Sequence, residues 1–200
     1  HIAECRKTAE MTYQIMSDKR AVDILEKLQK TKVVGLMSQM LFKEANTRYA
    51  LQAWNPHQDN IYVKNTSKLN NGFTTQYLTT NFFLDNADKN NGTLYVYPGS
   101  HKYGLYEAKP NISYREKGDS NPGNKISDKY LKEFNKVDCN FKKGDLLILN
   151  GNLIHGSYPN KSNKSRPLLS VSYISHGESF ISGKNARREA RSLCGVNDDK

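Results

Sequence analysis

The sequence predicts a mainly β domain, a sandwich or jelly roll with flanking helices. Three observations predict it. Short apolar or alternating runs recur from about residue 49 onward. Turn-rich clusters separate them, among them Asn70-Asn71-Gly72, Asn90-Asn91-Gly92, Pro98-Gly99 and Asn150-Gly151. Ahead of them, Ile15, Val22, Leu25 and Leu28 recur at helical spacing. Many short strands divided by such turns suit antiparallel layers, not a parallel α/β sheet.

Taken in order, residues from about 3 to 30 read as helical, with Ser17-Asp18 placed to cap a second helix beginning near Lys19. Val33 to Lys43 fits either state, although its end, Gln39-Met40-Leu41-Phe42, reads as a strand. Strands are then expected near 49–54, 60–64, 74–84, 93–97, 137–141, 145–149, 152–155 and 167–175. Residues 109–135 form a polar insertion with a short helix expected over 127–135. Insertions of this length often serve as lids or binding loops. The C-terminal stretch is densest in basic residues from Lys184 to Arg191 and reads as a solvated helix face or tail. The expected organisation is one domain, with a helical flank 1–35, a core 36–175 and a basic tail 176–200.

Composition excludes several classes. A membrane span needs a run of about 18 apolar residues, and none exists. Cys5, Cys139 and Cys194 lack zinc or redox-motif spacing and read as free thiols of a reducing cytoplasm. The formal charge of +10 comes from scattered lysines and no nucleic-acid-binding motif accompanies it, so the expected partner is a small molecule. The start, His1-Ile2-Ala3-Glu4-Cys5, has no signal-peptide pattern and no initiator Met, so a chain shortened at its N-terminus is expected.

The chemistry begins at His57-Gln58-Asp59. In an extended segment residues i and i+2 share a face, which would aim an imidazole and a carboxylate at one point. These are two of the three ligands of a facial triad on Fe(II). A hydrogen-bonded surface pair would give the same string. His155 is the candidate third ligand, although a core histidine would also suit its place after Leu153-Ile154. Arg166 begins the strand that follows it. If the strands of His155 and Arg166 pair, the guanidinium lies beside the metal pocket, where its fork suits a carboxylate. Without that pairing it reads as a surface arginine. Ser157 could donate to the same carboxylate.

These residues resemble the phytanoyl-CoA dioxygenase family of Fe(II)/2-oxoglutarate oxygenases. The matching blocks are Pro56-His57-Gln58-Asp59, the run Asn90-Asn91-Gly92-Thr93-Leu94-Tyr95-Val96-Tyr97-Pro98-Gly99-Ser100-His101, and His155-Gly156-Ser157 with Arg166, across about residues 36 to 174. The resemblance implies a double-stranded β-helix (cupin-like jelly roll) flanked by helices. It implies that His57, Asp59 and His155 are the catalytic metal ligands, holding Fe(II) for O2 chemistry. It implies that Arg166 and Ser157 hold the 2-oxoglutarate carboxylate, and that Gln39 and Asn81 contact this cosubstrate. His101 would be structural, and His176 would not be a ligand. Related halogenases carry a small residue in place of Asp59, so its presence favours hydroxylation of an unactivated C–H, with release of succinate and CO2. The charge favours an anionic organic substrate. Trp54, Tyr62 and the insertion are substrate-side candidates that packing alone would also explain. The alternatives are a cupin-like metalloenzyme that does not use 2-oxoglutarate and a non-catalytic small-molecule-binding protein on the same scaffold.

Overall fold

The computed structural model describes residues 2–3, 10–64, 76–110, 124–182 and 188–193. Two antiparallel sheets face each other. Across the larger run β1 (Ile2–Ala3), β2 (Val33–Lys43), β11 (Arg166–Ser175), β4 (Tyr77–Phe83) and β9 (Leu146–Asn150). Across the smaller run β3 (Trp54–His57), β10 (His155–Ser157), β5 (Leu94–Val96) and β8 (Val137–Asp138). A two-stranded ribbon joins β6 (Ala108–Pro110) to β7 (Asn124–Ile126). This is the jelly roll that the sequence predicts.

Alternation along the central strands builds two cores. On the outer face of the large sheet, Leu169, Val171 and Tyr173 recur at every second position and pack with Met16 and Leu25. Those two residues lie on α1 (Glu10–Met16) and α2 (Lys19–Gln29). The Asp18 side chain caps α2 by accepting the Arg20 amide at 2.9 Å, and the Tyr173 hydroxyl donates to the Met16 carbonyl at 3.0 Å. On the inner face, Phe83, Leu149 and Leu168 pack against Leu94 of β5. No helix among the described residues is long and apolar enough to cross a membrane.

Several expectations need correction. The chain from residue 3 is not one helical flank, because Ile2–Ala3 pairs with Met40 and Gln39 at the edge of the large sheet. Leu28 is 59% exposed and lies outside the buried helix stripe. The ambiguous stretch is one long strand throughout. Residues 48–51 turn into a 3-10 helix where a strand is expected, since the Thr47 hydroxyl captures the Ala50 amide. Residues 59–62 do the same, and there the buried Asn60 is tied across to Asn152 at 2.6 Å. His155 opens a strand and does not close one: a turn from Asn150 to Leu153 precedes it, with the Asn150 side chain accepting the Asn152 amide. The helix expected over 127–135 shortens to α3 (Asp128–Leu131).

The C-terminal basic segment also differs from expectation. Among its described residues there is no helix. Phe180 bridges to Val63 and Arg191 to Gly35, so the segment is laced to the core. Of the cysteines, Cys139 is a free thiol, while Cys5 and Cys194 lie outside the described residues.

One glycine fixes the turn that delivers His155. A Cβ on Gly151 would stand 2.6 Å from the Tyr77 carbonyl oxygen, which the Gly151 amide already contacts at 2.8 Å. We expect Gly151→Ala to cost about 1–3 kcal/mol by overpacking. Urea unfolding should show a lower midpoint at constant slope, and an unchanged midpoint would contradict this account.

Candidate metal centre

The register between β3 and β10 places His57 directly opposite His155. Asp59 lies two residues on, at the start of the 3-10 turn, with Gln58 extended between them (φ −125°, ψ 135°). The same-face geometry expected of residues i and i+2 therefore spans the strand end. The His57 Nε2 is 3.6 Å from one Asp59 oxygen, and the His155 Nε2 is 3.9 Å from the other. One potential ligand atom from each residue lies within 4.8 Å of the others. Among the described residues this is the one cluster of three His, Cys, Asp or Glu side chains so arranged.

Both imidazoles are oriented by their second nitrogen. The Nδ1 of His57 is 2.7 Å from the Asn55 carbonyl, and that of His155 is 3.0 Å from the Leu153 carbonyl. Each Nδ1 thus carries the proton, and each Nε2 lone pair faces the cluster, as metal ligation requires. Burial, reinforced by the neighbouring His155, holds the His57 imidazole down to about 4. The Asp59 carboxyl is lowered although burial opposes this; the two histidines, the Thr79 hydroxyl at 2.6 Å and Arg188 prevail.

Around the three, polar side chains lock the backbone. Gln58 donates to the carbonyls of Gly104 at 2.7 Å and Asn152 at 2.5 Å, and accepts the Tyr106 amide at 2.8 Å. Ser100 accepts the Ile154 amide at 2.9 Å, and the Ile154 carbonyl accepts the Tyr97 amide. The Pro98-Gly99-Ser100 turn thereby holds the residue next to His155. His101 follows it in a 3-10 turn, away from the three-residue cluster. His176 is exposed beyond β11.

The other candidates reach the same interior by a route that the sequence does not display. β10 and β11 do not pair; they lie in different sheets. Arg166 is nevertheless buried, because β11 pairs with β2 and sets Arg166 opposite Lys43 on the face turned toward β10. The Lys43 ammonium crosses the gap to the Ser157 hydroxyl at 2.8 Å and to the Tyr158 carbonyl. Burial, and then the neighbouring Arg166, lower that ammonium to about 6. Farther along the same face, Gln39, Ser170 and Asn81 form one cross-strand row, two residues from Thr79. The buried Asn81 Nδ2 has no hydrogen-bond partner among the described residues, and the Gln39 amide rests on the Met37 sulfur at 3.3 Å.

The model of the phytanoyl-CoA dioxygenase family matches residues 2–168. The chain belongs to the phytanoyl-CoA dioxygenase family. Phytanoyl-CoA dioxygenase 1 of Oryza sativa subsp. japonica is 36% identical over 121 residues, which is 60% of this chain and 38% of the rice protein. The peroxisomal phytanoyl-CoA dioxygenase of Rattus norvegicus is 32% identical over 106 residues, 53% of this chain and 30% of the rat protein. The match thus spans well under half the length of either relative. Among solved structures, EctD from S. alaskensis with 2-oxoglutarate and 5-hydroxyectoine superposes with TM-score 0.68 at 20% identity, covering 90% of this chain and 57% of that one. The epimerase SnoN in complex with Fe3+, alpha ketoglutarate and nogalamycin RO gives 0.68 at 17% identity, over 98% and 75%. At these identities the likeness is one of fold, the double-stranded β-helix.

Several residues that shape this family member's site carry little or no signal in the sequence. Gln58, Asn60, Thr79 and Asn152 hold His57, Asp59 and His155 in place, and only Gln58 carries a signal, by standing between His57 and Asp59. Lys43 carried none. Arg188 stands in the basic run that reads as a solvated helix face. It is buried, its guanidinium carbon lies 3.5 Å above the Tyr62 ring, and its Nε donates to the Tyr77 hydroxyl at 3.3 Å. Trp54 and Tyr62 lie near the centre: the Trp54 ring is 6.0 Å from that of His57, and Tyr62 ends the turn that Asp59 begins. The described ends of the insertion pack behind the centre, with Ile126 and Tyr130 in one cluster with Ile154.

A neutral buried imidazole makes stability depend on pH. The folded pKa of His57 lies below its ordinary 6.5, so the unfolded chain binds the extra proton first as pH falls. We expect the metal-free protein to lose stability from about pH 6.5 toward pH 4. Urea midpoints measured across that window should fall in wild type and flatten in His57→Gln.

Proposed function

We propose that the protein is an Fe(II)- and 2-oxoglutarate-dependent oxygenase that hydroxylates an unactivated C–H bond of a small organic substrate, releasing succinate and CO2. The observation that carries this reading is the convergence of His57 Nε2, the Asp59 carboxylate and His155 Nε2 within 4.8 Å, inside a member of the phytanoyl-CoA dioxygenase family. Two imidazoles and one carboxylate are the donor set of Fe(II) oxygenases that keep coordination positions open. When bound, the iron and the keto acid supply the activation of O2.

The chain's own residues supply geometry and charge. His57 and His155 present their Nε2 atoms because backbone carbonyls hold each Nδ1. Asp59 keeps one oxygen on Thr79, which fixes the carboxylate plane. Arg166 and Ser157 receive the distal carboxylate of 2-oxoglutarate: a guanidinium fork matches it, and Ser157 keeps its own hydrogen to donate while accepting from Lys43. Asn81, with its buried and unpartnered Nδ2, and Gln39 on the same row offer amides toward the cosubstrate. Trp54 and Tyr62 border the place left for the substrate. Asp59 occupies the position that a halide would need, which favours hydroxylation. The net charge of +10 and the buried Arg188 favour an anionic substrate.

Anaerobic titration of the Fe(II) protein with 2-oxoglutarate should produce a weak visible charge-transfer band. His155→Ala should abolish it, and Arg166→Ala should raise the half-saturating concentration at least about tenfold, equivalent to about 1.4 kcal/mol. Iron uptake without a band would favour a metalloenzyme that does not use 2-oxoglutarate. Failure to take up metal would favour a non-catalytic binding protein. A panel of candidate acids, scored by succinate release above background, identifies the substrate class, and no preference for anions removes that part of the proposal.

A further inference from the structure

Arg188 is a buried cation with no anion paired to it. It is 8% exposed. Its guanidinium carbon lies over the Tyr62 ring, its Nε donates to the Tyr77 hydroxyl, and a terminal nitrogen reaches the Ile181 carbonyl at 3.4 Å. None of these groups is charged at neutral pH, since burial raises both phenols, that of Tyr77 to about 12. Glu189, next along the chain, is paired with Arg191 at 3.3 Å. The Asp59 oxygens face Thr79 and the two histidines. A guanidinium cannot shed its proton to relieve such burial. An arriving anion would offset it.

Holding the C-terminal segment in place does not require a cation. The Glu189 amide donates to the Leu36 carbonyl at 3.1 Å, Arg191 and Gly35 exchange backbone bonds, and Phe180 bridges to Val63. The position of Arg188 is more telling. Tyr62 closes the 3-10 turn that Asp59 opens, a rise of about 6 Å. The guanidinium therefore stands beside the candidate metal centre, against the apolar group of Leu36, Met37, Val63 and Ile174 that packs with both tyrosines. It is remote from the proposed cosubstrate end. Tyr77 pairs with Ile174, at the far end of β11 from Arg166, about 26 Å along the strand at the usual rise. Charge balance points the same way. Fe(II), Asp59 and Arg166 together offset the dianion of 2-oxoglutarate, and Lys43 is lowered to about 6 by burial and then by Arg166. Arg188 leaves one positive charge for another ligand to meet.

We propose that Arg188 determines specificity by binding a single carboxylate of the substrate, an organic monoacid whose apolar body lies along the Leu36 and Met37 side. The proposal rests on the oxygenase reading above. It adds the group that the substrate presents and the residue that selects it. A guanidinium fork meets a carboxylate through two parallel hydrogen bonds. Stacking on Tyr62 fixes the plane of that fork in advance, so little side-chain freedom is lost when the acid binds. A second carboxylate on the ligand would enter the apolar group uncompensated.

The test uses the anaerobic Fe(II) protein saturated with 2-oxoglutarate, in which no turnover occurs. Trp54 is the single tryptophan of the chain and its ring lies 6.0 Å from that of His57, so its fluorescence reports ligand entry. The probes are straight-chain acids from butanoate to octanoate, each compared with its own amide, which keeps the body and lacks the charge. In wild type the best acid should bind at least about tenfold tighter than its amide. Its affinity should not fall as 2-oxoglutarate is raised, and adipate should bind more weakly than hexanoate. Arg188→Met should bring the acid down to the level of the amide, with amide and 2-oxoglutarate binding unchanged, and Arg188→Lys should recover part of the preference. Equal binding of acid and amide by wild type, binding of neither, or a preference for adipate overturns the proposal. So does an equal loss of acid, amide and 2-oxoglutarate binding in Arg188→Met, the mark of a purely structural role. If that variant does not fold, the wild-type titrations decide, and an acid displaced by 2-oxoglutarate overturns the proposal. A wild-type protein that binds iron and forms no charge-transfer band with 2-oxoglutarate overturns the oxygenase reading itself, a distinct outcome.

Discussion

The site depends on one register. β3 and β10 pair so that His57 faces His155, and a slip of one residue would turn each imidazole to the opposite face of the smaller sheet. Such short strands cannot hold a register by their own ladder hydrogen bonds. The register is held from outside, by Gln58 reaching the carbonyls of Gly104 and Asn152, by Asn60 clasping Asn152, and by Ser100 taking the Ile154 amide. Each tie spans between 46 and 94 residues of chain, so the alignment of the two imidazoles is a property of the closed jelly roll, not of local sequence.

The interior divides electrostatically along the same axis. At one end lie two imidazoles and a carboxylate, with the His57 imidazole held down by burial and the carboxylate held ionised by its partners. At the other lie Arg166 and Lys43, with Ser157 between the ends. Such a gradient across a dry interior is unfavourable for the empty fold. It suits a ligand with a metal-chelating head and an anionic tail, because each end of the pocket then meets its complement. The apolar packing of Phe83, Leu149, Leu168 and Leu94 stabilises the sheets against that burden.

Much of this was legible in the sequence, and the failures have physical causes. The metal ligand candidates and Arg166 could be named because each lies in a block resembling the family. The pairing of the His155 and Arg166 strands that the spacing suggests does not form, since β10 and β11 belong to different sheets. Linear spacing suggests a hairpin, whereas in a jelly roll sequential strands also face each other across the core. The strands expected at 49–54 and 60–64 failed because Thr47 and Asn60 divert the backbone through side-chain hydrogen bonds that apolar periodicity does not register. Lys43 was invisible for a related reason. A lysine ending a strand reads as a snorkelling surface residue, and only the opposing sheet makes it buried.

The C-terminal segment carries the same lesson to the substrate side. A run of basic residues is ordinarily solvated, yet Arg188 stacks on Tyr62 and contacts Tyr77. Tyr62 closes the turn that begins with Asp59, and the Arg188 charge is among the influences that lower the Asp59 carboxyl. The Ile181 amide donates to the Tyr62 carbonyl at 2.8 Å, pinning the segment to that turn from both sides. A residue more than 120 positions from Asp59 therefore helps set both the ionisation and the mounting of that carboxylate. Changes in this segment act on the candidate metal centre through Tyr62 and charge, without touching either histidine, which makes the strap after β11 part of the site's construction and not an appendage to the domain.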